Sequence, residues 1–571
     1  MTISAKNILA AAVFLALSAA AALLPAPAGA ASSTLKIGIS EEPKSINVFK
    51  ATDANSNNVM SLFYQPLYTP DPETLQPTPW LAESMPEWDA SENTYTVKLR
   101  EARWDDGSAV TADDVVFTVE TILEFKVPKY YSDWNVVSKV EAVDDRTVRF
   151  HLKEPRATFT TRTLVNYVVP EKQWGPVAER AKKQDEPLGE LLNTRIDDPL
   201  GCGPFVLEKW DKGNYLYLSR NEHFFGKGSE INGLTLGPHM DAVMFKVYGT
   251  SDVAVLALKK KKVDFLWWSI QPGYIKDLEK ADGIRVFVND KSALYYMGFN
   301  VRREPFSDPA FRQAAAFVID KEFIVERILQ GYASEMDSII PSQNKYWHAD
   351  GLPDYGRGLD REQRIRKAAA TLKRAGYTWV KPPVDESGNI VKPSRIIQPD
   401  GRTMEKFNIL TPPADYDPNR ATCGVMIQEW MNALGIPASA RPMSFSAMLE
   451  KIKNEHDFDS FVLGYGRLSL DPDYLTSFFH SDNDESGGWN MSGYRNEEFD
   501  RLAMLSGSEM DREKRRDIIR RMQKIVMEDV PYIPLYNPSA VEPAAVDRFS
   551  GWQQMVGGIG NIWSFCRVKP K

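Results

Sequence analysis

A chain of 571 residues exceeds what a single hydrophobic core holds, so two or three domains are expected. Its 69 Lys and Arg residues face 77 Asp and Glu, and this acidic balance excludes a nucleic-acid surface, which must neutralise phosphates. Cys202, Cys423 and Cys566 offer no C-x-x-C pair for a structural zinc or redox site; one disulfide at most is possible, with Cys202 and Cys566 the candidate pair and three buried free thiols the favoured reading.

At the amino terminus Lys6, an apolar run over residues 8–24 and the small residues Ala28, Gly29 and Ala30 read as an export signal cleaved after Ala30. An uncleaved anchor is the alternative. No cysteine stands near that site to accept a lipid, and no later stretch reaches the roughly 18 uninterrupted apolar residues of a membrane span. Residues 35–39, 94–100, 137–143, 147–152, 205–210, 215–219 and 243–247 carry strand patterns between helical runs, a mixed α/β order. After the second of these, Asp106 and Gly107 form a turn, and Thr111 with Asp114 fits a capping box for a helix whose apolar stripe is Val115, Val116, Val119, Ile122 and Leu123. Asp144 and Asp145 read as a hairpin turn, with His151 on the polar edge of the returning strand.

Farther along, residues 259–262 are four lysines on the solvated face of a helix whose buried side is expected to be Ala254, Leu256, Ala257 and Leu258. Asp308 and Pro309 suit the N-cap and first turn of a helix with Phe311, Ala314, Ala315 and Val318 on one face. A second helix through Ala368 and Leu372 closes at Gly376. Arg515, Arg516, Arg520 and Arg521 are expected to face solvent, opposite the stripe Ile518, Ile519, Met522, Ile525 and Val526.

No catalytic constellation emerges. There is no Gly-x-Ser-x-Gly elbow, no phosphate loop and no His-Glu-x-x-His helix, and the six histidines have no ligand spacing. Asp482 and Asp484 begin like a calcium loop, but Gly493 stands where its closing Glu belongs, so a surface loop is the reading. Neither a metal nor a cofactor is expected. A two-carboxylate glycoside hydrolase is the enzyme alternative that composition leaves open.

The order of these segments resembles a known family. Residues 95–120, then Gly201, Gly203, Pro204 and Phe205, then Phe299 and Asn300 with Pro305, Phe306, Asp308 and Pro309, then Ile319, Asp320 and Lys321, and lastly Pro531, Tyr532, Pro534 and Leu535 are similar to the signatures of the family 5 extracellular solute-binding proteins of peptide, nickel and opine-type ABC importers. The resemblance implies an α/β two-lobed periplasmic-binding-protein fold, type II in its large three-domain form, with a hinge and an interlobe ligand cleft. By analogy the first lobe combines 31–75, 201–292 and 533–571, an extra domain is inserted at 76–200, the second lobe is 293–532, and the chain crosses near 292 and 532. It further implies a monomeric periplasmic receptor with no catalytic residue, which hands a small peptide-like solute to a membrane permease served by an ATPase. An anionic or sugar-containing solute, or a sensory or chaperone role on the same fold, are the alternatives.

The same resemblance places candidate ligand contacts at Trp267, Trp268, Tyr465, Arg467, Leu468, Trp489 and Asn490, with core packing the favoured reading for any single Trp among them. In peptide-carrying relatives an Asp three residues before the acidic-Pro pair, in this chain Asp471 and Pro472, receives the solute's α-ammonium group. Leu468 stands there, and Arg467 beside it favours a carboxylate or phosphate if it faces the cleft, a surface ion pair being its other reading. Gln65 replaces a frequent Glu, and Cys202 a frequent Thr or Ser.

Overall fold

A computed structural model describes residues 33–571, so the expected export signal lies outside the described residues. The alternation of Leu35, Ile37 and Ile39, all fully buried, makes Thr34–Ile39 a core strand. It pairs in parallel with Ala242–Val247 on one side and Phe265–Leu266 on the other, and the hairpin Phe205–Asp211/Tyr215–Arg220 extends the sheet outward.

Beyond Phe265–Leu266 lies the 14-residue strand Tyr532–Ala545. Its later part, from Ser539, pairs antiparallel with Ile284–Asp290, and its earlier part pairs with Leu294–Phe299 and Ala333–Glu335. From Leu294–Phe299 the ladder continues through Ser460–Tyr465 and Phe407–Thr411 to Ala438–Pro442, so that one 12-stranded sheet runs through the molecule. Partner exchange falls between Pro538 and Ser539, where proline has no N–H to give to a ladder.

Hydrophobic side chains segregate on either side of that exchange. One large cluster runs from Leu35 through Phe287 and takes in Ala544 to Val568; two others draw only on residues between Leu294 and Tyr536. They define a first and a second lobe. The four-stranded sheet formed by Glu87–Asp89, Thr94–Lys98, Thr147–Leu152 and Val137–Asp144 packs its apolar face into the first of these clusters.

Local chemistry explains most element ends. Thr111 and Asp114 form the reciprocal capping box at the start of Ala112–Glu124, and Asp308 accepts from Ala310 N–H at the start of Pro309–Val318. The helix Arg361–Arg374 ends before Gly376, whose φ of +91° is a left-handed position open to glycine. One expected packing residue is corrected. Leu256 is 51% exposed, and Val255 takes its place beside Ala254, Ala257 and Leu258, because the apolar face of Ser251–Lys259 is rotated by one residue. All three cysteines are buried free thiols. Among the described residues no helix is long and apolar enough to cross a membrane.

Candidate functional site at the boundary between the lobes

The segment that leaves Ser460–Tyr465 runs along the boundary. Tyr465 stacks on Phe478 with ring centroids 4.7 Å apart and lies parallel to Tyr296 at 5.8 Å. Leu468 N–H donates to Ser292 C=O (2.6 Å) at the chain crossing, and Asn344 Nδ2 of the second lobe donates to Leu470 C=O (2.7 Å), so the loop is held at both points.

Asp471 follows, with a fully buried side chain. Arg515 meets it with two parallel bonds, Nη1 to Oδ2 (2.7 Å) and Nη2 to Oδ1 (2.6 Å), and its Nε–H donates to Ser506 C=O (2.9 Å). This corrects the expectation that Arg515 faces solvent: it is 3% exposed, three residues before Ile518 on the buried face of Arg512–Asp529. Burial opposes the guanidinium charge, but the Asp471 carboxylate more than offsets it and raises the Arg515 pKa. Arg516 and Arg520 are half-buried, and Arg521 is exposed.

The first lobe reaches the same carboxylate. Thr161 Oγ1 donates to Asp471 Oδ2 (2.7 Å), and its neighbour Arg162 joins Asp133 of its own lobe (2.6 Å) to Asp473 across the boundary. Burial and the Asp471 charge both push the Asp473 pKa up, and its Oδ1 is buried with no hydrogen-bond partner among the described residues. Ala157 N–H donates to Gly507 C=O (3.0 Å), and Arg512 donates to Gln76. Pro70, Gln76, Thr161, Val165, Trp347 and Asp471 enclose a cavity of ≈ 30 Å³ between the lobes, enough for about one water. A larger groove of ≈ 660 Å³ lies on the first lobe alone, where Lys172 pairs with Asp106 and Arg220 with Glu222.

The expected ligand contacts divide. Tyr465 and Trp489 come together, ring centroids 6.2 Å apart, and Lys453 Nζ lies 3.8 Å from the Trp489 ring centre. Arg467 is exposed and makes no hydrogen bond or ion pair with a described residue. Leu468 is buried in the second-lobe core. Trp267 packs among Phe245, Phe265 and Phe565 in the first-lobe core, and Trp268 is half-buried against a neighbouring cluster. Asn490 is 1% exposed: Nδ2 donates to His480 and Tyr494 carbonyls, while Oδ1 accepts from Ser492 Oγ and Tyr494 N–H. Its polar valences are spent inside the protein, so it shapes the loop.

Thr161, Arg162 and Arg515 were not legible as boundary residues, because no local pattern links positions 44 or 310 apart. Asp484, in the calcium-like stretch, is held by Arg302 and Arg495 (2.8 Å).

Comparison with known proteins agrees with this architecture. The model of bacterial extracellular solute-binding proteins, family 5 (middle region), matches residues 76–487, and the chain belongs to that family. It is 28% identical over 515 residues to the oligopeptide-binding protein AppA of Bacillus subtilis, covering 88% of this chain and 86% of that one. It is 24% identical over 493 residues to the dipeptide-binding protein of Escherichia coli, covering 82% of each. Among solved structures, HbpA2 of Haemophilus parasuis superposes with a TM-score of 0.75 at 21% identity, over 94% of this chain and 100% of that one. The periplasmic oligopeptide-binding protein of Thermotoga maritima gives 0.74 at 24%, over 94% and 99%. The fold is therefore the two-lobed, mixed α/β binding-protein architecture, and the protein is a solute-binding component of an ABC transporter.

Proposed function

We propose that this chain captures a short peptide or peptide-like solute between its lobes in the periplasm and presents the closed form to an inner-membrane permease with its ATPase. The lobes are taken as 31–75 with 201–292 and the chain from Ser539 onward, and as 293 to Pro538, which moves the second crossing from the expected residue 532 to the partner exchange within Tyr532–Ala545; 76–200 is inserted, and the chain acts as a monomer after loss of residues 1–30. The observation that carries this reading is the single strand Tyr532–Ala545, half in each lobe, above a boundary closed by Thr161 and Arg162 on Asp471 and Asp473. Such a strand allows rotation while both cores stay intact. A solute touched by both lobes has differential affinity for the closed form, and only that difference shifts the equilibrium. No bond in the solute is made or broken. The peptide class comes from the relatives named above as oligopeptide- and dipeptide-binding.

The test is native mass spectrometry of freshly purified protein, then thermal shift with di- to nonapeptides. A ligand at a hundred times its dissociation constant adds about 2.7 kcal/mol of stability. Silence across all peptides, or turnover of a bound compound, overturns the reading.

A further inference from the structure

We infer that the outer face of the second lobe, built by the helix Arg361–Arg374 and the hairpin Thr378–Lys381/Ser394–Ile397, docks on an anionic phospholipid surface. This goes beyond the peptide reading and is independent of which solute is carried. Over residues 361–395 the chain has nine Lys and Arg against three Asp and Glu, in a protein whose net charge is −8. The positive charge is therefore local, set in an otherwise acidic molecule. On the helix Ile365, Ala368, Ala369 and Leu372 are buried, while Arg366, Lys367, Ala370, Lys373 and Arg374 are exposed on the opposite face at helical spacing. In the hairpin Trp379 pairs with Ile396 and Lys381 with Ser394; Val380 and Arg395, between these pairs, are both exposed. Arg366 Nη2 donates to Gly388 C=O (3.2 Å), so the hairpin's connecting loop lies along the helix and the two make one surface.

The charge on this face is unanswered. Lys367, Lys373, Arg374, Lys381, Lys392 and Arg395 are exposed and form no ion pair with a described residue. The helix Arg512–Asp529 is as basic and is built the other way: Lys514, Arg515, Arg516, Arg521 and Lys524 each have a carboxylate within 4.0 Å. Like charges left together repel, and an anionic surface that arrives relieves them. A stable protein interface needs a desolvated centre of aromatic or large apolar side chains and is depleted in lysine, whereas Val380 is the one exposed large aliphatic side chain over residues 361–395. Anionic headgroups need no such centre. Each Lys or Arg near them contributes about 1 kcal/mol, and acidic groups more than about 8 Å farther from the lipid are screened at physiological salt.

The experiment uses the intact mature protein and sedimentation with vesicles of phosphatidylcholine, with and without about one third phosphatidylglycerol. The expected result is that the protein sediments only with the vesicles that contain phosphatidylglycerol and is released as salt is raised toward about 0.5 M. Reversing three charges together, Lys367→Glu, Lys373→Glu and Lys392→Glu, should weaken binding about a hundredfold or more. Lys381→Gln with Lys392→Gln, which leaves the helix untouched, should weaken it about tenfold. Lys260→Glu with Lys262→Glu, on exposed first-lobe lysines that likewise lack an ion pair with a described residue, should change it by less than about twofold. No sedimentation with either vesicle, or an equal loss in the first-lobe variant, overturns the inference and leaves the peptide reading standing. Binding to soluble polyglutamate that the second-lobe variants lose, with none to the vesicles, also overturns it and gives the face to an acidic protein.

Discussion

Arg515 and Arg467 stand near the same boundary and follow opposite rules. Arg515 is buried, meets Asp471 through two bonds and gives its third donor to Ser506. Arg467 is exposed, and no described residue supplies it with an anion. The difference teaches that an arginine's role is read from where its counter-charge comes from. When the fold supplies the carboxylate, the pair is structural; when it does not, the guanidinium is available to something that arrives. Glu542 is the converse case, a buried carboxylate on Tyr532–Ala545 that accepts from Ile559 N–H (2.5 Å) and has no arginine, so burial raises its pKa to about 7.

Breaking the buried pair has the largest expected effect. Arg515→Met leaves Asp471 charged in a dry setting and should cost about 3–5 kcal/mol in denaturant unfolding. A loss under about 1 kcal/mol would mean that water reaches the pair and that the contrast with Arg467 is one of degree.

Glu542 sharpens the comparison through pH. Its pKa is raised on folding, so the folded state holds the proton more tightly; its contribution is fully present below the unfolded value of 4.5 and is lost as pH rises through about 7. Against Glu542→Gln, the wild type should therefore lose stability between those values, by roughly 3 kcal/mol in all. Parallel stability profiles from pH 4 to 8 would show that the carboxylate is hydrated.

Smaller effects are expected across the boundary. Thr161→Ala removes one interlobe bond to Asp471, worth about 1 kcal/mol, and should shift the solute-free molecule toward larger radii of gyration in solution scattering. Unchanged scattering would mean that the closed arrangement does not depend on this contact. The smallest effect belongs to Arg467→Ala, whose unfolding free energy should stay within about 0.5 kcal/mol of wild type; a larger loss would reveal a structural partner and end the contrast from the other side.

The sequence by itself determined what is local. Alternation marked Thr34–Ile39 and Thr147–Leu152, the capping residues Thr111, Asp114 and Asp308 marked helix starts, and ordered signatures over most of the chain carried the family. Each depends on neighbours within a turn or a strand, where spacing alone decides which face is apolar. Only the tertiary structure decided that Arg515 lies inside while Arg521 lies outside, that Leu256 is exposed, and that Asn490 and Trp267 are committed to packing. The physical reason is that burying a charge or an amide is tolerable only where a partner waits. For Arg515 that partner, Asp471, is 44 residues away, and the threonine that completes it is 310 residues from Asp471.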